Sequence, residues 1–334
     1  SLRRSGQRKV PFLFLRRRYA DYLMQLHKQL ATFQPTQKTV LTIGTFDGLH
    51  LGHQKILETV CAEAKLLGLA SVLLTFHPHP RRVLFPDQPL GLIQTQEEKL
   101  ARLAAIGLDH VVVLEFSEVF AQQTAAQFVE EILIKGLNAR SVIIGYDHQF
   151  GHDRQGNLAF LRSYEAKGCF EVKEIPVEQI DEVYISSSKI RKAIEHGQIA
   201  QANAYLGQPY QVSGFVSRGL QNGRSIGFPT ANVQLTETEK ILPADGVYAV
   251  SSEYNGRTLY GMMNIGWRPT IKEAKIERKI EVHFFDFQSD IYEAYLALCL
   301  HERMRAEQKF ENLEALKAQL KKDELAVRAY FQRT

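Results

Sequence analysis

Residues 39–57 place a strand, a glycine-rich turn and a helix start in direct succession, and this order constrains the fold more than any other stretch. The sequence there is TVLTIGTFDGLHLGHQKIL. Its first five residues are largely apolar, which is typical of a strand buried on both faces of a sheet. Gly44, Gly48 and Gly52 permit turns and close backbone approach that a Cβ would block. The stretch therefore predicts one strand–turn–helix unit of an α/β fold.

The helix start in this stretch carries two histidines, His50 and His53. Free N–H groups at a helix start, together with the positive end of the helix dipole, favour a bound anion. These residues indicate a phosphate site that contains two imidazoles. The alternative, from these residues alone, is an ordinary strand–loop–helix corner with two surface histidines.

Strand and helix patterns alternate through the first 207 residues. Two capping boxes, Thr95-x-x-Glu98 and Thr124-x-x-Gln127, predict helices that run to about residues 106 and 135. Such alternation predicts βαβ units and a largely parallel sheet. The other expected elements are strands at 71–76, 109–116, 141–145 and 170–175, and helices at 54–67 and 193–207.

Three of the expected strands end in polar loops rich in glycine or proline, at residues 44–53, 77–82 and 145–154. Alternate prolines in HPHPRR predict an extended loop in the second of them. Ligands of parallel sheets bind beyond the carboxyl ends of strands, at a switch in strand order. The convergence of three such loops favours the phosphate-site interpretation.

The segment ISSSKIR at residues 185–191 is a fourth candidate contributor. Its serines are expected to cap a helix, and hydroxyls, amides and basic side chains together can hold an oxyanion. A plain capped helix with solvated basic side chains is the alternative.

Beyond Gly207-Gln208-Pro209 the pattern changes to short strands. The dipeptide Asn255-Gly256 is a strong signal for a type I′ hairpin. Antiparallel strands followed by one helix predict a small closed β-barrel. The expected strands cover residues 210–217, 246–254, 257–263, 280–287 and 295–300, and the helix covers 311–331.

The chemistry of this second half is concentrated in GLQNGRSIGFPTAN at residues 219–232. A glycine-rich loop can wrap phosphates, although no Gly-Lys-Ser/Thr follows as in a P-loop. Thr230 and Asn232 fall on one face of an extended segment and suit a magnesium ion that keeps several waters. Glu281 lies within an apolar alternation. An inward-facing Glu281 would suit a general base, and the alternative is an outer strand face that carries Glu281 and His283.

Positive charge is concentrated at the start of the chain. Residues 1–35 hold eight basic residues against Asp21 alone, a net +7, so the rest of the chain carries −3 of the overall +4. A mildly acidic body argues against a nucleic-acid surface. We expect a basic N-terminal extension with a helix over residues 19–33. An Arg-rich, acid-poor composition also fits a transit peptide.

The three cysteines are scattered, with no Cys-x-x-Cys. This argues against a disulfide framework and fits a reducing compartment. No apolar run approaches the roughly 18 residues of a membrane span. We expect a cytoplasmic protein with small-molecule partners, no nucleic acid and no membrane, as a monomer or weak homo-oligomer. The histidine pairs 50/53, 77/79 and 148/152 raise zinc as an alternative, which the lack of nearby cysteines disfavours.

Four motifs of the first half occur together in order: TIGTFDGLHLGH, TFHPHP, GYDHQFGHDRQG and ISSSKIR. They resemble the adenylyltransferase module of prokaryotic bifunctional FAD synthetases, which are nucleotidylyltransferases marked by His-x-Gly-His. The resemblance implies transfer of AMP from ATP to FMN with release of pyrophosphate. It assigns the ATP phosphates to Gly44, Phe46, Asp47, Gly48, His50, His53, Ser187, Ser188 and Arg191. It places His79, Asp147 and Arg154 near the flavin or the reacting phosphates.

Five motifs of the second half, GRSIGFPTAN, LPADGVYAV, NIGWRPT, IEVHFFDF and RAEQKF, resemble the riboflavin kinase family. The resemblance implies that Glu281 takes the proton from the riboflavin 5′-hydroxyl and that Thr230 and Asn232 bind Mg²⁺. It places Arg305 in a flavin-side loop. It assigns the ATP phosphates of this site to Gly223, Arg224, Gly227 and Phe228.

Together the two resemblances predict a Rossmann-like nucleotidylyltransferase domain at residues 36–207 and a riboflavin-kinase-like barrel with a terminal helix at 208–334. The expected function is conversion of riboflavin to FMN and of FMN to FAD, with ATP as substrate and Mg²⁺ as cofactor. Two alternatives stay open, a nucleotidylyltransferase for another acceptor and a non-catalytic flavin-binding regulator.

Overall fold

The structure is a computed structural model that describes residues 24–88, 90–146, 148–176, 185–218, 227–269 and 276–333. Its contacts divide the chain into two compact units. The first unit contains the described residues up to Leu90 and from Gln94 to Ile185. The second contains Gly91–Ile93 and the described residues from Ser186 onwards.

The first unit is built on a parallel six-stranded sheet with the order β1-β4-β3-β2-β5-β6. The strand order reverses between β2 and β5. Strands β3, β2 and β5 are neighbours in the sheet, so the loops that follow them lie side by side at its carboxyl-terminal edge. This confirms the predicted parallel sheet. The strands are β1 (Gln25–His27), β2 (Thr39–Ile43), β3 (Ala70–His77), β4 (His110–Glu115), β5 (Ala139–Gly145) and β6 (Glu171–Ile175).

Helices cover both faces of this sheet. Successive residues of β2 point to different cores, since Leu41 packs in one apolar cluster and Val40 in the other. Both predicted capping boxes form. The helices are α1 (Leu51–Leu67), α2 (Pro80–Leu84), α3 (Gln96–Ile106), α4 (Glu118–Ala121), α5 (Ala125–Gln127, continued by a π-helix over Phe128–Gly136) and α6 (Leu158–Glu165).

Two local predictions for the first unit are wrong. The described part of the expected helix over residues 19–33 forms β1 and a 3₁₀ turn at Leu30–Thr32, because Gln25–His27 pairs with β4, a partner more than eighty positions away. The expected extended loop at 77–82 contains the start of α2. Pro80 is the first residue of that helix, where its missing N–H costs nothing and its fixed φ suits the helix.

The second unit is a closed barrel of six antiparallel strands with the order β10-β11-β8-β7-β12-β9. Asn255 (φ 51°) and Gly256 (φ 75°) both have positive φ, which confirms the predicted hairpin. The strands are β7 (Tyr210–Ser217), β8 (Ala231–Leu235), β9 (Gly246–Tyr254), β10 (Arg257–Pro269), β11 (Ile276–Phe284) and β12 (Tyr295–Ala306).

The described part of the second unit contains the helices α7 (Ser187–Glu195), α8 (Ile199–Leu206) and the predicted terminal helix α9 (Leu313–Arg333). The helix expected over 193–207 is split into the end of α7 and the whole of α8. Gly197 lies between them with a left-handed backbone (φ 72°), a conformation that ends a helix. Helix α8 packs on β12 and β7. The domain boundary at 207/208 stays a prediction.

Candidate active sites

The loop between β2 and α1 brings the two motif histidines together. His50 is the N-cap of α1, and its Nδ1 accepts a hydrogen bond from the backbone N–H of His53 at 3.3 Å. The two imidazole rings are stacked, with centroids 3.6 Å apart and planes 20° from parallel. Phe46 lies against the other histidine, 4.7 Å from the His53 ring. The sequence motif thus builds an aromatic stack at a helix N-terminus.

Both imidazoles are held in the neutral form. Burial lowers the pKa of His50 to about 4, with Asp47 opposing the shift and Arg102 adding to it. The pKa of His53 is also well below its usual range, first because of burial and then because of His50, Lys99 and Arg102. Since Nδ1 of His50 accepts a hydrogen bond, the proton of the neutral ring is on Nε2. His50 can therefore donate to a phosphate oxygen at neutral pH.

The backbone of this loop is constrained. Phe46 (φ 48°) and Leu49 (φ 41°) have left-handed conformations that cost a non-glycine residue on the order of 1–3 kcal/mol each. A Cβ on Gly44 would lie 2.9 Å from the Phe46 ring, which is too close for ordinary packing. The close contact with Phe46 therefore gives a second reason for glycine at this predicted phosphate-binding position. Gly48 (φ 93°) supplies a turn that favours glycine.

Helix α3 contacts the back of this loop. Lys99 Nζ donates to the carbonyl of Thr45 and to Thr75 Oγ1, both at 3.2 Å, and Arg102 Nη1 donates to the carbonyl of Gly48 at 2.9 Å. Asp47 Oδ1 accepts from the Gln94 N–H at 3.2 Å, just before α3 begins. Sequence reasoning missed Lys99 and Arg102. A basic pair at i, i+3 on an amphipathic helix gives no sign in the sequence that it contacts a distant loop.

The loops after β3 and β5 carry the other predicted residues of the first unit. His79 is the N-cap of α2, and its Nδ1 accepts from the Arg81 N–H at 3.2 Å. Arg154 is exposed in a 3₁₀ turn at His152–Arg154, with φ 55°. The loop is closed by backbone hydrogen bonds between Phe150 and Gly156. Asp147 lies outside the described residues.

His148 is a further candidate that the site assignments omitted. Its ring stacks on Phe150, with centroids 5.8 Å apart, and burial lowers its pKa to about 4. Among the described residues no hydrogen-bond partner is found for its Nε2. A neutral imidazole with one unpaired buried nitrogen suits a polar ligand beside an aromatic face. The signal was present in the YDHQF motif, which the sequence analysis assigned to this loop.

Helix α7 carries the predicted phosphate-binding residues of ISSSKIR. Ser186 is its N-cap, and Ser186 Oγ accepts from the Lys189 N–H at 3.3 Å. Ser187 and Arg191 are four residues apart and share one face of the helix. Arg191 Nε donates to the Gly91 carbonyl at 2.9 Å. Ser188 is exposed in the first turn.

The barrel places Glu281 on its outer face. Ile280, Val282 and Phe284 of β11 are buried in the interior, so Glu281 and His283 point the other way. Of the two placements that the sequence left open for Glu281, the outer-face one holds and the inward-facing one does not, because the apolar residues of the alternation occupy the interior.

Glu281 lies between two amide side chains on that face. It is directly opposite Asn232 of β8 and Asn264 of β10 in the strand register. Directly opposite residues of antiparallel strands point to the same side of the sheet. The three side chains therefore form a row across three strands. Asn264, in the NIGWRPT motif, was not assigned to the site from sequence.

The segment that precedes β8 is held by His283. Nδ1 of His283 lies 2.8 Å from the Pro229 carbonyl, and its ring contacts the Phe228 ring edge-on, 5.3 Å between centroids. Phe228 is buried with Met262 and Val327 beneath α9. Its side chain therefore anchors the segment, and Thr230, two residues further on, is partly exposed. Gly227 (φ 84°) has open space around it. Gly223 and Arg224 lie outside the described residues.

Arg305 is bound to the terminal helix. Its Nε and Nη2 donate to the two carboxylate oxygens of Asp323 at 2.9 and 2.7 Å, and Asp323 is 4% exposed. The guanidinium carbon lies 5.8 Å from the Phe310 ring. This predicted flavin-side residue thus also ties β12 to α9.

A cavity of about 540 Å³ lies at the amino-terminal ends of the strands in the first unit, lined by residues that include His27, Phe33 and His110. None of the predicted site residues lines it. Among the described residues there is no group of three or more His, Cys, Asp and Glu side chains that could hold a metal ion. Within that part of the chain, no helix is both long and apolar enough to span a membrane.

Two family models match the chain. One, described as FAD synthetase, matches residues 32–189, and the other, described as riboflavin kinase, matches residues 206–331. The chain is 40% identical to the bifunctional riboflavin kinase/FMN adenylyltransferase of Bacillus subtilis (strain 168), over 88% of this chain and 93% of that protein. It is 36% identical to the protein of the same name from Escherichia coli (strain K12), over 89% of this chain and 94% of that protein.

A solved structure also matches over nearly the whole length. It is a crystal structure from Streptococcus pneumoniae, described as a macrolide-efflux protein, with a TM-score of 0.82 and 34% sequence identity. The match covers 92% of this chain and 99% of that chain.

Proposed function

The chain belongs to the family of bacterial bifunctional riboflavin kinase/FMN adenylyltransferases, and on this basis we propose which of its residues perform each reaction. The enzyme phosphorylates riboflavin to FMN and transfers AMP from ATP to FMN, giving FAD and pyrophosphate. The proposal rests on one observation: each of the two segments matched by a family model contains a group of polar side chains that lie next to one another. The neutral histidine stack lies in the first segment and the Asn232–Glu281–Asn264 row in the second.

In the adenylyltransferase reaction, an oxygen of the FMN phosphate attacks the α-phosphorus of ATP and pyrophosphate leaves. No covalent intermediate is needed, so catalysis consists of positioning and charge stabilisation. His50 and His53 donate to oxygens of the reacting phosphates. The backbone of Gly44, Phe46, Asp47 and Gly48 cradles them.

Other residues of the adenylyltransferase site follow from the family motifs. Ser187, Ser188 and Arg191 hold the β- and γ-phosphates. His79, Asp147 and Arg154 contact the flavin or the reacting phosphates. We add His148, because its ring stacks on Phe150 and its Nε2 has no hydrogen-bond partner among the described residues.

In the kinase reaction, Glu281 takes the proton of the riboflavin 5′-hydroxyl while that oxygen attacks the γ-phosphorus and ADP leaves. Asn232 and Asn264 flank the carboxylate and orient it. The loop containing Gly223, Arg224 and Gly227 wraps the ATP phosphates, with Phe228 as its anchor. Arg305 completes the flavin side from its position on β12.

The oxygen donors near Glu281 fit a magnesium ion. Mg²⁺ prefers oxygen ligands and keeps several waters, and Thr230 and Asn232 offer a hydroxyl and an amide oxygen beside a carboxylate. These two side chains would hold the ion. When bound, it offsets the negative charge of the ATP phosphates.

We further propose domain limits of 36–207 for the adenylyltransferase and 208–334 for the kinase. Residues 1–35 are then a basic segment that precedes these limits, and its described end contributes β1 to the sheet of the first unit. The small-molecule partners are ATP, riboflavin, FMN and FAD, with no nucleic acid. We propose a cytoplasmic enzyme that is a monomer or a weak homo-oligomer.

Two variants test the residue assignments. Glu281→Gln is expected to reduce FMN formation from riboflavin by about 10²–10⁴-fold while FMN-to-FAD conversion persists. His53→Ala is expected to reduce FAD formation from FMN by about 10²–10³-fold while riboflavin phosphorylation persists. Each reaction is followed separately by chromatography of the flavins. Loss of both activities in either folded variant would refute the assignment to two separate sites.

A further inference from the structure

Two cations of helix α3, the buried Lys99 and the half-buried Arg102, lie directly behind the loop that holds the histidine stack. Lys99 is 7% exposed and contacts the Thr45 carbonyl, while Arg102 contacts the Gly48 carbonyl. Both side chains come from one face of α3, since they are three residues apart. Removing a cation from water, wholly for Lys99 and partly for Arg102, is unfavourable unless it is bound by oxygen atoms. The loop carbonyls supply those atoms.

A carbonyl that points towards α3 fixes the direction of the next N–H. In a planar trans peptide the C=O and N–H bonds point in opposite directions. The N–H of Phe46 therefore points away from Lys99, and the N–H of Leu49 points away from Arg102. These two N–H groups belong to the two non-glycine residues of the loop that have positive φ, Phe46 and Leu49.

These two N–H groups are available to a ligand. Phe46 is 3% exposed and Leu49 is fully buried, and no acceptor for either N–H is found within the part of the chain that the structure describes. Buried N–H groups in folded proteins are almost always paired. Two such groups beside a helix N-terminus therefore indicate an anionic ligand that completes their hydrogen bonding.

We propose that Lys99 and Arg102 are positioning residues for adenylyl transfer, which hold the Thr45 and Gly48 carbonyls so that the Phe46 and Leu49 amides face the phosphates of ATP. This rests on the adenylyltransferase function proposed above. The two cations act through the loop backbone and need not touch the substrate. Their charge has a second effect, because both cations disfavour the protonated form of His53.

The charged and titratable groups that act on His53 are His50 from the same loop and Lys99 and Arg102 from α3, while Asp47 acts on His50. Removing Lys99 takes away one of the causes that lower the pKa of His53. That pKa then rises towards its usual range. The neutral imidazole is lost at a higher pH than in the unmodified enzyme.

The test uses the full-length chain, in which riboflavin phosphorylation is an internal control. Lys99→Met and Arg102→Met are expected to lower kcat/KM for ATP in FMN adenylylation by about 10–100-fold, the size of effect that a misplaced binding group produces. Riboflavin phosphorylation is expected to stay within about twofold of the unmodified enzyme. Lys55→Met, which removes an exposed lysine of α1, is the matched control and is expected to change neither rate.

Conservative variants separate hydrogen bonding from charge. Lys99→Arg keeps both and is expected to restore most of the activity. Lys99→Gln keeps a donor for the Thr45 carbonyl but loses the charge, so it is expected to retain more activity than Lys99→Met while the His53 pKa, followed by NMR, rises. If Lys99→Met fails to fold by circular dichroism, Lys99→Gln and Arg102→Met decide the question.

Two results would overturn the inference: adenylylation by folded Lys99→Met and Arg102→Met within about twofold of the unmodified enzyme, or a His53 pKa in Lys99→Gln that does not move. Failure of the proposed function gives a different result. In that case the unmodified enzyme itself forms no FAD from FMN and ATP. An active unmodified enzyme with unaffected variants leaves the function intact and refutes only the role of Lys99 and Arg102.

Discussion

Two substitutions at His50 separate its structural contribution from its chemical one. The Nδ1 atom caps α1 through the His53 N–H, and the neutral ring donates from Nε2. Asparagine is among the best N-cap residues, so His50→Asn keeps an acceptor for the cap and removes the imidazole. His50→Ala removes both.

The expected magnitudes follow from the contacts of His50. Loss of an N-cap hydrogen bond costs typically about 1 kcal/mol, and loss of an aromatic pair contributes on the order of 0.5–1.5 kcal/mol. His50→Ala is therefore expected to lose about 2 kcal/mol of unfolding free energy. His50→Asn is expected to lose about 1 kcal/mol. Both variants are expected to lose about 10²–10³-fold in FMN adenylylation, because both lack the Nε2–H donor.

The stabilities are measured by chemical denaturation followed by circular dichroism, and the rates by chromatography of FAD formed from FMN and ATP. Riboflavin phosphorylation by the same samples is the control for an intact second unit. A His50→Asn variant that adenylylates FMN at the unmodified rate would refute the reasoning. The imidazole would then matter only as a helix cap.

Three further predictions concern other parts of the molecule. Burial lowers the pKa of His148 from 6.5 to about 4, so between these pH values the unfolded chain binds more protons than the folded one. His148 therefore lowers the free energy of unfolding by about 2 kcal/mol on going from pH 7 to pH 5. In denaturation curves at the two pH values His148→Phe should show a smaller loss, and an unchanged loss would contradict the prediction. Asn264→Ala is expected to slow riboflavin phosphorylation about tenfold or more, with FAD formation from FMN unaffected, whereas an equal effect on both reactions would exclude a role in orienting Glu281. Asp323→Ala leaves Arg305 without its carboxylate partner and is expected to destabilise the barrel by about 3 kcal/mol. The fluorescence of Trp267, the single tryptophan, follows the denaturation, and an unchanged midpoint would contradict the prediction.

Features of the fold that depend on local chemistry could be predicted from the sequence. The capping boxes at Thr95 and Thr124 and the Asn255-Gly256 hairpin form as expected, because each depends on residues within four positions of one another. The parallel sheet followed from alternating apolar runs. The family motifs then indicated both reactions.

Features that depend on distant partners could not be predicted. Gln25–His27 becomes a strand only through its pairing with β4. Lys99 is buried, and Arg102 half-buried, only because the loop after β2 presents carbonyls to them. The orientation of Glu281 depends on which face of β11 fills the barrel. An alternating pattern allows either face until the partner strands are known.

The central claim is that one chain performs both steps, and the most direct test is a time course of the flavins when the intact protein is given riboflavin, ATP and Mg²⁺. We expect riboflavin to fall, FMN to rise and then decline, and FAD to accumulate last with release of pyrophosphate. Formation of FMN without FAD, or of neither product, would contradict the account.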